Sequence, residues 1–299
     1  MLDTRQLHPT LAREVVGLRL WRTLDEAVVI ALRDLFAQYG VLVFRRQALS
    51  EAELAAFCAI FGPLERTVRS DWASPSTAEV TVISNLKDGF GRPIGGLGDG
   101  ELQWHSDQSY MLKPATGAAL YALELPPDGG ETFWVDLRAA YAGLPGDLRT
   151  EIADKHGIFD YTKRLAGYGR ETDRQISREA RSLTPPVTHA LVCSHPGTGD
   201  ASLYLDSTTT VGIDGMDTAS GLTLLDEVYV SATRAEFVYA HQWQVGDLVL
   251  WDNGFTMHRR TPFDAGARRL MKRTTMNLDR SRHVMPDGTL FRPEAQMPG

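Results

Sequence analysis

The chain has 299 residues, is 43% hydrophobic and 23% charged, and carries a formal net charge of −7. That is the composition of a folded globular protein with enough apolar material for a sizeable core, and it excludes disordered, collagen-like and coiled-coil chains. The acidic balance argues against nucleic acid as a partner, because nucleic-acid readers carry a basic face. No stretch approaches eighteen uncharged apolar residues, so a membrane partner is not expected either. The N-terminus, MLDTRQLHPTLAREVVGL, has charges throughout and lacks the apolar stretch of a secretory leader. Cys58 and Cys193, far apart and each in an apolar setting (AAFCAIF, HALVCSH), read as reduced core thiols, which points to the cytoplasm.

In chain order, Leu24 to Gly40 places apolar residues at helical spacing and closes on a glycine suited to a C-cap, followed at once by the strand-like VLVF. Ser50 opens a capping box with Glu53, and Leu54, Phe57, Cys58 and Phe61 carry a helix on to the stop at Gly62-Pro63. Short β-rich runs follow at Val80 to Ser84, Thr116 to Glu124, Ala190 to Ser194, Ser202 to Leu205, Leu248 to Trp251 and Met271 to Leu278. Two more helices are predicted, Leu137 to Leu144 and Gly221 to Arg234. The βαβ alternation of a doubly wound sheet is missing, so the pattern favours an antiparallel barrel or sandwich with helices packed outside, in one domain spanning 1–299. Two segments read as mobile loops over a site: 88–100, with six glycines, and 164–181, dense in charge and without an apolar period.

The chemistry concentrates in two places. Trp104-His105-Ser106-Asp107 offers an imidazole and a carboxylate two residues apart, which extended chain points to one side. The segment LVLWDNGFTMHRRTPFDAGARRLMKRTT then supplies His258 after a strand and turn, followed by a returning strand with arginines. Two histidines and one carboxylate form a facial triad that leaves metal positions open for a bidentate 2-oxo acid and for dioxygen. Arg269 and Arg273 follow His258 by eleven and fifteen residues and, four apart on a strand, face the same way. A guanidinium suits a distal carboxylate because its fork makes two parallel charge-assisted hydrogen bonds.

Three blocks carry a family resemblance: GVLVFRRQALSEAELAAFCAIFGPLE, LQWHSDQSYMLKPATGAALYALELPPDGGETFWVDLRAAYAGLP, and GDLVLWDNGFTMHRR with its arginine strand. They resemble the taurine dioxygenase-like (TauD/TfdA) family of Fe(II)- and 2-oxoglutarate-dependent dioxygenases. The resemblance implies a mainly β fold with flanking helices around a double-stranded β-helix, or jelly-roll, core. It implies that His105, Asp107 and His258 bind iron, that Thr132 and Arg269 hold 2-oxoglutarate, and that Arg273 approaches the substrate's acidic group or the cofactor. Thr208, in LDSTTTVGI, stands where members of the family approach the substrate. A dimer or tetramer is usual for the family. The implied reaction decarboxylates 2-oxoglutarate with dioxygen to succinate and CO2 and oxidises a small, acidic organic substrate through an Fe(IV)-oxo species. Hydroxylation is the default outcome; desaturation, epoxidation and oxidative cleavage stay open, whereas Asp107 argues against halogenation, because halogenating relatives lack that carboxylate. Two rivals are a zinc hydrolase on the same triad, against which the arginine pair speaks, and a non-enzymatic jelly-roll that binds a small acid. His195 and His241 read as structural, His189 as either a core histidine or a pocket residue, and Asp252-Asn253 as the fixture of the turn that aims His258.

Overall fold

Runs such as Val41-Leu42-Val43-Phe44 lack polar alternation because the strand they form is covered on both faces. In the computed structural model, which describes residues 2–66, 70–167 and 178–292, this strand pairs antiparallel with Leu248–Asp252, which pairs in turn with Gly117–Glu124. Leu42, Phe44, Leu248, Leu250, Ala119 and Tyr121 turn outward and meet Leu32 and Phe36 of the helix Glu26–Tyr39 and Leu54 and Phe57 of the helix Glu51–Cys58. The alternate residues, Val41, Val43, Leu120, Val249 and Trp251, turn inward with Met271 and meet Trp134 and Tyr239 of a second sheet. Each such apolar side chain contributes roughly 1.5–3 kcal/mol by leaving water.

Among the described residues the first sheet has nine strands and runs Thr4–Gln6, Arg13–Val15, Val41–Phe44, Leu248–Asp252, Gly117–Glu124, Leu270–Met276, Val80–Ser84, Gly96–Leu97, with Leu64–Glu65 added beside Leu270–Met276. The facing sheet has four: Val238–His241, Thr132–Asp136, Thr256–Arg260 and Leu102–His105. The two stacked sheets, mainly antiparallel, are the jelly-roll core the sequence led one to expect. Val135 and Met257, on the outer face of the second sheet, are closed off by Leu137 and Ala140 of the helix Leu137–Ala142 and by Leu224, Leu225 and Val228 of the helix Thr218–Ala232.

Several elements fall where local chemistry puts them. Ser50 and Glu53 form the capping box, and Gly40 closes the first helix in the left-handed region at φ 67°. Other boundaries shift for tertiary reasons. The strand expected at Ala190 to Ser194 is two, Val187–Ala190 and Val192–Ser194, because the chain switches at buried Leu191 from pairing with His156–Phe159 to pairing with Ala201–Leu203. The arginine strand ends at Met276, where Asn277 N–H turns to Pro63 O and Leu278 N–H to Thr116 Oγ1. The last long helix starts at Thr218, earlier than its apolar spacing suggests, because Asp217 caps it by accepting from Ser220 N–H.

The glycine-rich segment is partly a strand: Gly96–Leu97 runs parallel to Ile83-Ser84, and a side chain at Gly96 would lie 2.1 Å from the Trp72 ring. In the charge-dense segment, Arg164 belongs to a helix, Tyr161–Ala166, and Arg181 to another, Arg178–Ser182; residues 168–177 lie outside the described residues. Both cysteines are free, and burial pushes each thiol up to about 12, so they act as apolar packing. Among the described residues no helix is long and apolar enough to cross a membrane.

Candidate active site

Thr256–Arg260 lies between Thr132–Asp136 and Leu102–His105, and His258 stands directly opposite both Trp134 and His105. Opposed residues of an antiparallel pair project from one face, which brings the two imidazole rings to 4.1 Å between centroids. Trp251, from the facing sheet, packs at 4.9 Å on His258. The strand itself ends at His105, so Asp107 lies just beyond it in a turn, not on extended chain.

Local hydrogen bonds hold that turn. Ser106 Oγ donates to Thr256 O at 2.9 Å, and Asp107 N–H donates to Asn253 Oδ1 at 3.3 Å. Trp251 Nε1 donates to Asn253 Oδ1 at 3.0 Å and to Asp107 Oδ2 at 3.2 Å, and Arg273 Nη2 pairs with the same Oδ2 at 2.9 Å. With Oδ2 engaged, Oδ1 faces His258 Nε2 at 3.7 Å and His105 Nε2 at 3.9 Å. His105 Nδ1 donates to Gln103 O at 2.7 Å, which assigns the lone pair to Nε2 and fixes the ring. One ligand atom from each of the three residues falls within 4.8 Å of the others, all three side chains being buried.

The electrostatics suit a cation. Burial lowers His105 well below its ordinary value and His258 to about 4, so both imidazoles are neutral and available as ligands at pH 7. Burial alone would raise Asp107, but the charge of Arg273 beside it outweighs burial and holds the carboxyl well below the usual range. A set of two neutral imidazoles and one carboxylate on one side of the ion is the donor set of non-haem Fe(II) oxygenases.

Behind the triad lies a small cavity of ≈ 40 Å³ lined by His105, His258, Thr132, Trp251, Arg269 and Arg273. Thr132 reaches it because Gly129-Gly130 turn the chain at φ 77° and 75°; a Cβ on Gly129 would lie 2.5 Å from Pro262 O. Arg269 and Arg273 both line it, but not from one strand as their spacing suggested: the strand begins at Leu270, and Arg269 stands one residue before it, with its backbone N–H donating to Asn85 Oδ1 at 3.0 Å. Arg269 is 2% exposed, its Nε has no hydrogen-bond partner, and it makes no ion pair among the described residues. Burial, with Arg260 nearby, depresses its pKa well below the ordinary value. A buried guanidinium without a counter-ion costs stability unless an anion completes it.

In front of the triad a larger cavity of ≈ 270 Å³ is lined by His105, Asp107, Arg273 and Thr208 together with Arg164 and Tyr161. All seven residues singled out in the sequence therefore border one of the two cavities. Thr208 borders the larger one, but its hydroxyl donates to Asp206 Oδ1 at 2.7 Å, leaving a lone pair to face outward.

Trp243, whose Nε1 donates to Thr132 Oγ1 at 3.0 Å, escaped sequence reasoning; Asn253, read only as fixing a turn, also accepts from Asp107 N–H, and Arg164, in a segment read as a loop over the site, belongs to the cavity wall from a helix. His241, read as structural, lines neither cavity and sits between Tyr239 Oη at 2.7 Å and Asp247 Oδ2 at 3.1 Å; His189, open between core and pocket, also lines neither and packs edge-on against Phe159 and Tyr204.

Fold and donor set together define a jelly-roll with a two-histidine, one-carboxylate site. Residues 3–275 match the family model described as taurine catabolism dioxygenase TauD, TfdA family. The chain is 37% identical over 282 residues to the alpha-ketoglutarate-dependent 2,4-dichlorophenoxyacetate dioxygenase of Cupriavidus pinatubonensis, covering 90% of this chain and 95% of that one. It is 31% identical to pentalenolactone F synthase of Streptomyces avermitilis, covering 89% and 90%. Among solved structures it is similar to AAD-2 in complex with Mn(II) and N-oxalylglycine, at TM-score 0.78 and 31% identity, covering 93% and 98%. The chain belongs to the TauD/TfdA family and is a metal-using, 2-oxoglutarate-dependent dioxygenase.

Proposed function

We propose that this enzyme oxidises a small anionic organic molecule, with hydroxylation as its default outcome, and that His105, Asp107 and His258 hold its iron. The observation that carries this reading is Arg269: a buried guanidinium without an ion-pair partner among the described residues, in the same small cavity as both histidines and Thr132. That cavity fits the distal carboxylate of 2-oxoglutarate, with Arg269 supplying a forked pair of donors and the Thr132 hydroxyl, itself held by Trp243, a further contact. A zinc hydrolase has no use for such a buried cation.

Iron and 2-oxoglutarate supply the activation of dioxygen and the oxidative decarboxylation that characterise the class. The chain's own residues do the rest. Asp107 presents Oδ1 to the metal position because Trp251 and Arg273 occupy Oδ2, and Gln103 O holds His105 in the ligating tautomer. The indoles of Trp134 and Trp251 keep water away from His258. Arg273, bordering both cavities, and Thr208 are the proposed substrate contacts on the metal side. The unpaired thiols, Cys58 buried and Cys193 half-buried, fit a cytoplasmic enzyme.

The test is succinate release from 2-oxoglutarate by the Fe(II)-loaded protein in air, with and without a panel of small organic acids. Acid-stimulated succinate formation that His258→Ala removes is expected. Stimulation by neutral molecules alone would overturn the anionic substrate, and no succinate under any condition would overturn the reading as a whole.

A further inference from the structure

The turn 253–255 serves the metal site twice. It joins Leu248–Asp252 to Thr256–Arg260, the strand that carries His258, and it holds Asn253, whose Oδ1 accepts from both Asp107 N–H and Trp251 Nε1. Local bonds fix only part of it: Gly254 N–H donates to Asp252 Oδ1 and Thr256 Oγ1 to Asp252 O, each at 2.7 Å. The second carboxylate oxygen is held from outside the turn. His283 Nδ1 stands 2.5 Å from Asp252 Oδ2, and since a carboxylate oxygen accepts, Nδ1 carries the proton. Asp252 is 0% exposed and His283 3%, so neither has water as an alternative partner, and a buried carboxylate oxygen without a donor is costly.

His283 belongs to a segment that folds back onto this turn after the arginine strand has ended. Asp279 starts the return, its carbonyl accepting from Arg282 N–H at 3.0 Å and His283 N–H at 3.1 Å. Leu278 then buries in the outer cluster with Phe36, against which the His283 ring packs at 5.5 Å, and Val284 buries in the inner cluster with Trp251 and Phe255. A Cβ on Gly254 would overlap Val284 O, so the turn and the returning segment are in direct contact. A second tie runs beside the first: Thr116 accepts from Leu278 N–H at Oγ1 and from Asn253 N–H at its carbonyl, both at 2.7 Å. The family model matches residues 3–275, and His283 lies beyond them.

We infer that His283 is a positioning residue for the metal site: it holds Asp252, Asp252 fixes the turn, and Asn253 in that turn aims Asp107. The inference rests on the assignment of His105, Asp107 and His258 as ligands. Without His283, Asn253 loses the fixed orientation from which it holds the Asp107 backbone and the Trp251 indole together. Metal affinity then falls although every ligand is still present, because partners behind the ligands set their orientation.

The test measures Fe(II) affinity of the full chain anaerobically against a competing chelator, with melting temperature and far-ultraviolet circular dichroism recorded on the metal-free protein. His283→Leu keeps an apolar body against Phe36 and removes the donor, and its Fe(II) affinity is expected to fall about tenfold or more. His283→Asn, whose amide nitrogen takes the place of Nδ1, is expected to stay within about threefold of the unaltered protein. In an Asn253→Ala background His283→Leu is expected to add less than about twofold, because both act through one path. Should His283→Leu not fold, Asp252→Asn combined with His283→Leu replaces it: that pair removes the buried charge together with its partner, keeps an acceptor for Gly254 N–H, and is expected to show the same loss. The proposal is overturned if the clamp variant melts lower with Fe(II) affinity unchanged, if His283→Asn loses as much as His283→Leu, or if the losses of His283→Leu and Asn253→Ala simply add. Fe(II) affinity that survives His258→Ala would strike the ligand assignment itself, a result distinct from all three.

Discussion

Replacing Arg269 by methionine should move two measurements in opposite directions. The side chain is 2% exposed, its Nε lacks a hydrogen-bond partner and it has no ion-pair partner among the described residues, so the guanidinium is a largely desolvated charge with only the Phe263 ring 5.8 Å away to offset it. Exchanging it for an apolar side chain of similar length removes that penalty, and ligand-free stability should hold or rise, by about 1 to 4 kcal/mol if buried ionic groups elsewhere are a guide. The carboxylate of 2-oxoglutarate loses its counter-ion in the same exchange. A hydrogen bond to a charged group contributes roughly 1.5–3 kcal/mol, so the dissociation constant should rise by about ten- to more than a hundredfold. Thermal unfolding without ligand gives the first quantity, and anaerobic titration of the Fe(II)-loaded protein with 2-oxoglutarate gives the second. A melting temperature that falls by several degrees with 2-oxoglutarate binding intact would make Arg269 a structural residue and refute the reasoning.

Asn253→Ala frees the Asp107 backbone and the Trp251 indole together, so Fe(II) affinity measured with a competing chelator should fall about ten- to a hundredfold while the far-ultraviolet circular dichroism is retained; unchanged affinity would remove Asn253 from the support of the triad. Gly96→Ala puts a methyl group 2.1 Å from the Trp72 ring, and overpacking of that kind should cost about 1–3 kcal/mol in urea unfolding; a neutral result would mean the segment gives way freely. His189 is lowered to about 4, by burial first, against an ordinary value of 6.5. Below pH 6.5 the unfolded chain takes up a proton that the folded chain refuses until about pH 4, so this group's share of stability is intact above pH 6.5 and is lost as pH falls through that window. His189→Gln, which keeps a donor for Met111 O, should flatten the loss between pH 6.5 and 4, and an identical acid profile in the variant would contradict the assignment.

Much of the fold was written locally. The capping box at Ser50, the αL glycine at position 40 and the run Val80–Ser84 are decided by residues within a few positions of one another, and they stand where local chemistry puts them. The triad was legible for the same reason, because an H-x-D pair and a histidine between a turn and an arginine strand keep fixed spacing in sequence. What stayed hidden depends on distant contacts. The helix Tyr161–Ala166 exists through Tyr110, some fifty positions earlier, and Thr210, as far on the other side, so its six residues carry no readable period of their own and looked like loop. Trp243 reaches Thr132 across 111 positions and Asn253 reaches Asp107 across 146; an indole or an amide in isolation gives no sign of such a partner. The break at Leu191 likewise follows from a change of pairing strand, which no local pattern announces.

The central claim is that one buried site holds iron through His105, Asp107 and His258 and chelates 2-oxoglutarate against Arg269. Anaerobic titration of the Fe(II)-loaded chain with 2-oxoglutarate, read in the visible spectrum, tests it most directly. A weak metal-to-ligand charge-transfer band that saturates with 2-oxoglutarate and is lost in His258→Ala is the predicted result. Iron binding without the band, or a band that persists in His258→Ala, would contradict it.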